Sequence, residues 1–122
     1  IKNRYLNYFI FNYKNNVYIQ KRTQKDIWQN LYEFYLIETD KAEPADAILK
    51  HKELKQLVKS FKVDSAVTTK KHILSHQHLY ATFYEITVKE PIVSKSLIKV
   101  KRENLNDFGL PQLINKYLKS SV

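Results

Sequence analysis

The chain has 122 residues, with 21 Lys and Arg against 12 Asp and Glu, a net charge of +9 at pH 7 and no cysteine or methionine. That suits one domain with a modest core. It excludes disulfides, thiol chemistry and cysteine-held zinc or iron–sulfur clusters within these residues, and it favours an anionic partner. No apolar run approaches the length of a membrane span, and Ile1-Lys2-Asn3-Arg4 opens no signal peptide. A monomeric, cytoplasmic protein with no membrane association is expected. Without an initiating methionine it is expected to be a fragment of something longer, or a processed product.

Taken in order, Tyr5 to Tyr13 reads as a strand covered on both sides. Leu6, Tyr8 and Ile10 fall on one face; Tyr5, Phe9 and Phe11 fall on the other. Lys14-Asn15-Asn16 is a turn, and Val17 to Arg22 is predicted to return as the second arm of a hairpin. Thr23 to Asn30 is loop around Trp28. Leu31 to Glu38 is a third strand. From Ala45 to Ser60 the period becomes helical, with Ala47, Leu54, Val58 and Phe61 on one face and Leu57 beside them. Lys62 to Asp64 is a connector. Ala66 to Leu74 and His78 to Val88 are two more strands, and Ser96 to Lys101 is another. Pro111 opens a final amphipathic helix carrying Leu113, Ile114, Tyr117 and Leu118. Residues 1–122 thus predict one α+β domain: a mixed or antiparallel sheet, a main helix after the third strand and a short C-terminal helix.

The stretch with most chemistry is Lys70-Lys71-His72-Ile73-Leu74-Ser75-His76-Gln77-His78. It holds three of the four histidines, and no acid lies between Asp64 and Glu85. Such a turn suits docking something anionic while a small polar side chain inspects it; a solvated basic turn is the plain alternative. Lys70 and Lys71 are candidate phosphate contacts, with Lys21 and Arg22 a second basic group. Gln77 and His78 are weaker candidates. His72, His76 and His78 could bind zinc in principle, but no carboxylate or cysteine lies near to neutralise the ion, so no metal site is expected. Trp28 either packs over the sheet edge or marks a seam with another domain.

Three stretches carry a family likeness: Lys21-Arg22 followed by Trp28-Gln29-Asn30-Leu31-Tyr32-Glu33-Phe34, then His72-Ile73-Leu74-Ser75-His76, then Phe108-Gly109-Leu110-Pro111. In this order the chain resembles the C-terminal domain of adenine DNA glycosylases, the MutY family. Tyr32, Tyr35 and Leu74 stand where that family usually has tryptophan, proline and phenylalanine. The resemblance implies a Nudix-like fold and contact with duplex DNA containing 8-oxoguanine opposite adenine, in support of adenine excision during base-excision repair. It implies a catalytic N-terminal domain, with its iron–sulfur cluster, outside this chain. The chain itself would then be no enzyme and hold no cofactor, and a bacterial, nucleoid-associated setting follows. Ser75, His76 and Leu74 become the lesion-recognition candidates, Leu74 expected more as an anchor than as a wedge. Lys70, Lys71, Lys21, Arg22, Gln77 and His78 become backbone candidates.

Two alternatives stay open: a Nudix pyrophosphohydrolase, and a protein-docking module of the same fold. A working Nudix enzyme needs a glycine-started loop and an Arg-Glu-x-x-Glu-Glu helix whose glutamates hold divalent metal. The best match is Lys52-Glu53-Leu54-Lys55-Gln56-Leu57, in which Gln56 and Leu57 replace metal-binding glutamates. A serine, by contrast, suits the oxidised purine edge. 8-Oxoguanine gains an oxygen at C8 and turns N7 from acceptor to donor, and a hydroxyl both donates and accepts.

Overall fold

The computed structural model describes residues 1–64 and 67–120. The central strand β1 (Lys2–Asn12) is flanked by β4 (Tyr35–Thr39), antiparallel, and by β7 (Gln77–Val88), parallel. The far edge of β7 is shared by two short strands placed end to end. β6 (Thr68–Ile73) pairs with residues 78–83, and β5 (Phe61–Val63) pairs with residues 86–88. A smaller sheet has the order β3 (Tyr32–Glu33), β2 (Asn16–Lys21), β8 (Ile98–Lys101). The helices are α1 (Ala45–Leu49), α2 (Lys52–Leu57) and α3 (Gln112–Ser120), with a 3-10 segment at Arg102–Asp107. The α+β architecture with a mixed sheet and a short terminal helix is as expected from sequence.

Alternation along β1 builds two cores. Leu6, Tyr8 and Ile10 join Leu79, Ala81 and Phe83 beneath α3, where Phe83 stacks on Tyr117 at 4.0 Å. Phe9 and Phe11 join Tyr84, Ile86 and the helix residues Ile48 and Leu54 on the opposite face. Burying side chains of this size stabilises by about 1.5–3 kcal/mol each.

Four expectations are corrected. The turn after β1 forms, with Lys14 at φ 55° and one bridge between Tyr13 and Asn16, but β1 and β2 do not continue as a hairpin. β7 takes one edge of β1 along its whole length and β4 takes the other over Tyr5–Phe9, while β2 pairs with β3 and β8. The predicted third strand is two strands in different sheets, divided at fully buried Phe34.

The main helix is likewise two. In one continuous helix Ile48 and Leu54 would lie about 120° apart, yet both are fully buried. The break at Lys50 and His51 turns both toward the core and leaves Ala47, expected inside, exposed. Residues Phe61–Val63 are not mere connector: β7 is longer than β6, and β5 covers the edge that would otherwise stay unpaired. Ala66, the expected start of the strand before Ser75, lies outside the described residues. No helix among the described residues is long and apolar enough to cross a membrane.

Candidate nucleic-acid interface

β6 and β7 form a two-stranded arm that closes at Leu74-Ser75-His76. Ile73 sits opposite His78, and the Leu74 N–H donates to the Gln77 carbonyl at 2.8 Å. The start of β1 braces the turn, since the Lys2 N–H donates to the His76 carbonyl at 3.0 Å. Leu74 packs inward against the core under α3, whereas Ser75 and His76 are exposed. The turn is therefore held by backbone bonds and an apolar anchor, while a hydroxyl and an imidazole project from it.

Strand alternation sorts the remaining candidates. His72 turns toward Trp28, ring centroids 6.2 Å apart. Burial, with help from Lys116, lowers its pKa and favours the neutral ring. Lys71 points to the other face, its Nζ 5.5 Å from the Tyr80 ring, which is itself stacked on Tyr5 at 5.3 Å. Lys70 and Lys71, adjacent in sequence, thus lie on opposite faces of β6. So do His72, facing Trp28, and His78, paired with outward Ile73, which rules out a shared ion for the three histidines. Gln77 is turned inward, its Oε1 accepting from Arg4 at 3.1 Å. His78 is half-buried on the face of Lys71 and Ile73, and Lys21 is exposed at the end of β2.

Arg22 does not face outward. Its side chain is 9% exposed, paired with Glu33 at 2.8 Å and Asp26 at 3.0 Å beneath the Trp28 ring. Its charge is spent inside the fold, so it leaves the set of candidate phosphate contacts. Trp28, at φ 59°, caps this network and packs on the core, as the sheet-edge reading expected. All three arginines are ion-paired, and the surplus positive charge resides on lysines.

Two features were missed. Arg4, 7% exposed, donates to Glu38 at 2.9 and 2.8 Å, to Asp26 at 2.9 and 2.8 Å, and to Gln77. It ties β1, β4, the Trp28 loop and the root of β7 together. Its hydrogen bonds hold Asp26 down at about 2. Nothing in the sequence marks a buried arginine at the start of an aromatic strand. The second is Ile73, 63% exposed beside the turn. Period-two alternation from Leu74 would have placed it outward.

The segment Lys52–Leu57, expected from sequence as the nearest match to a Nudix metal helix, has other contacts. Glu53 Oε1 accepts from the Tyr35 hydroxyl at 3.2 Å, Gln56 is exposed and Leu57 packs on the second core. Among the described residues no three His, Cys, Asp or Glu side chains converge as a metal site would require.

Residues 7–120 match the NUDIX domain family. No curated protein matches the chain in sequence. Among solved structures it is similar to the C-terminal domain of mouse MUTYH, determined in complex with human PCNA, at 14% identity and TM-score 0.67, covering 95% of this chain and 85% of that one. It is similar to the E. coli ORF135 protein at 13% identity and TM-score 0.68, covering 98% and 91%. It is also similar to RenU, a Nudix hydrolase from M. smegmatis, at 10% identity and TM-score 0.65, covering 98% and 83%. At these identities the likeness establishes the fold.

Proposed function

The chain belongs to the NUDIX domain family, and from that premise we propose that it is a non-hydrolysing member that reads duplex DNA through its Ser75-His76 turn. The target that the chemistry suits is 8-oxoguanine opposite adenine, with excision of the adenine left to another domain. The observation that carries the reading is the division of labour at the turn. Leu74 and two backbone hydrogen bonds fix it, and the two side chains able to read a base edge face outward. The mouse MUTYH domain's shared fold supports the reading.

Lys71 supplies the sequence-independent part, approaching a phosphate from beside Tyr80. Lys71→Ala is expected to weaken binding to damaged and undamaged duplex alike and to reduce the salt slope by about one unit. A loss confined to the damaged duplex would contradict the phosphate role.

Family membership and the likeness to RenU favour a second reading, hydrolysis of a nucleotide diphosphate bond. Against it stand Gln56 and Leu57, which give a metal no charged ligand, and Glu53, held by Tyr35. An assay with magnesium and nucleoside di- and triphosphates separates the two: turnover at an enzymatic rate would favour the hydrolase. The PCNA-bound relative favours a third reading, protein docking, which predicts no chemical-shift change at the turn on adding DNA.

A further inference from the structure

We propose that the turn joining β1 to β2 carries a separate binding pocket for a phosphate-bearing ligand, built from Lys14, Lys101 and Arg102. The pocket holds about 320 Å³ and is lined by Asn12, Lys14, Asn15, Lys101, Arg102 and Glu103. It sits at the opposite end of β1 from the Ser75 turn, about 36 Å away at ~3.3 Å per residue, so it is no part of the site described above.

Arg102 is ion-paired with Glu85 but, unlike Arg22, keeps its side chain 38% exposed, with the guanidinium fixed in place. Its Nη1 donates to Asn12 Oδ1 and Glu85 Oε1, both at 2.9 Å, and its Nη2 donates to Glu85 Oε2 at 3.1 Å. Glu85 is fixed in turn by Asn12 at 2.8 Å and the Tyr117 hydroxyl at 2.7 Å. These contacts use three of the five guanidinium N–H groups. The Nε–H and one Nη2–H remain, a pairing suited to two oxygens of one phosphate. The guanidinium is orientated before any ligand arrives, so little ordering is needed on binding.

Lys14 supplies the second observation. It occupies the left-handed region at φ 55°, which lysine seldom adopts and which glycine, asparagine or aspartate fills more readily. Its Nζ lies 5.3 Å from the Tyr13 ring, and Lys99 Nζ lies 5.8 Å from the same ring. Two ammonium groups against one tyrosine, with Lys101 two residues further along β8 from Lys99, concentrate positive charge at this end of the sheet. Glu85 offsets Arg102, and Glu103 offsets one lysine, leaving the pocket positive. Glu103 in the lining also offers an acceptor to a ligand hydroxyl, so a phosphorylated sugar or nucleotide fits better than a bare ion.

The test is backbone chemical-shift mapping of the chain with three probes: inorganic phosphate, dGMP and a short undamaged duplex. Saturating shifts at Asn12–Asn16 and Lys101–Glu103 are expected, at least tenfold weaker in Lys101→Gln and Lys14→Gly. Shifts with dGMP and phosphate but not duplex identify a small ligand. Shifts with duplex alone identify a backbone phosphate, and either result upholds the pocket. Lys14→Gly should at the same time raise the melting temperature by about 3 °C, because glycine accepts this backbone freely. A purely structural lysine would not link gained stability to lost binding. No shift here with any probe, or shifts unchanged in Lys101→Gln, would overturn the proposal.

Discussion

Replacing Arg4 by methionine is expected to lower stability by roughly 3 kcal/mol, the low end for breaking a buried ion pair. The guanidinium is almost wholly buried and pairs with two carboxylates, Asp26 and Glu38, whose side chains are about one-third exposed. Without it Glu38 loses its charged partner, Asp26 keeps only Arg22, and Gln77 loses the donor that turns it inward. The pH dependence has a defined sign. Arg4 depresses Asp26 to about 2, so the stabilisation is complete above the unfolded carboxylate range near pH ~4 and is lost as pH falls toward 2. Wild type should therefore lose stability across that window, and Arg4→Met should lose less there. Urea unfolding at pH 7 and pH 3 checks both parts. A change below ~0.5 kcal/mol at pH 7, within the range of ordinary surface substitutions, would show that the network does not brace the fold.

Ser75→Ala and His76→Ala are expected to leave stability within about 0.5 kcal/mol of wild type, because both side chains are exposed and make no hydrogen bond that Leu74, Gln77 and Lys2 depend on. Each should nonetheless reduce the preference for 8-oxoguanine:adenine over guanine:adenine duplex by roughly 5- to 30-fold. That is the equivalent of one base-edge hydrogen bond, about 1–2 kcal/mol. In the proposed reading the serine would act on the N7 and C8 edge, where the lesion reverses the hydrogen-bonding pattern, and the imidazole would support it from the neighbouring position. Ile73→Ala removes exposed apolar surface beside them and serves as the control for simple loss of contact area. Equal affinity of Ser75→Ala for both duplexes, set against a clear preference in wild type, is the expected extreme. An undiminished preference in both variants would remove the turn from lesion reading.

What the sequence made legible was local. The alternation Leu6-Tyr8-Ile10 against Phe9-Phe11 assigns both cores, and the turn at Leu74-Ser75-His76 stands where apolar strands flank it. What it hid was set by tertiary competition. The segment Val17 to Arg22 has every mark of a hairpin arm, but β4 and β7, which arrive later in the chain, pair with β1, and β2 pairs with β3 and β8. Leu31 to Glu38 reads as one strand because alternation carries no sign that Phe34 is where the chain changes sheets. The helix over 45–60 is broken at His51 because its apolar residues serve the core only from two orientations. At the site, Arg22 looked like a surface cation beside Lys21. Only the fold reveals that Glu33 and Asp26 claim it.

The most direct measurement is chemical-shift mapping of this chain with an 8-oxoguanine:adenine duplex and with its guanine:adenine counterpart. The account predicts shifts at Ser75 and His76 with the damaged duplex that are larger than with the undamaged one, and shifts near Lys71 of similar size with both. Shifts at Lys71 with none at Ser75 or His76, or identical shifts from the two duplexes at the turn, would contradict it.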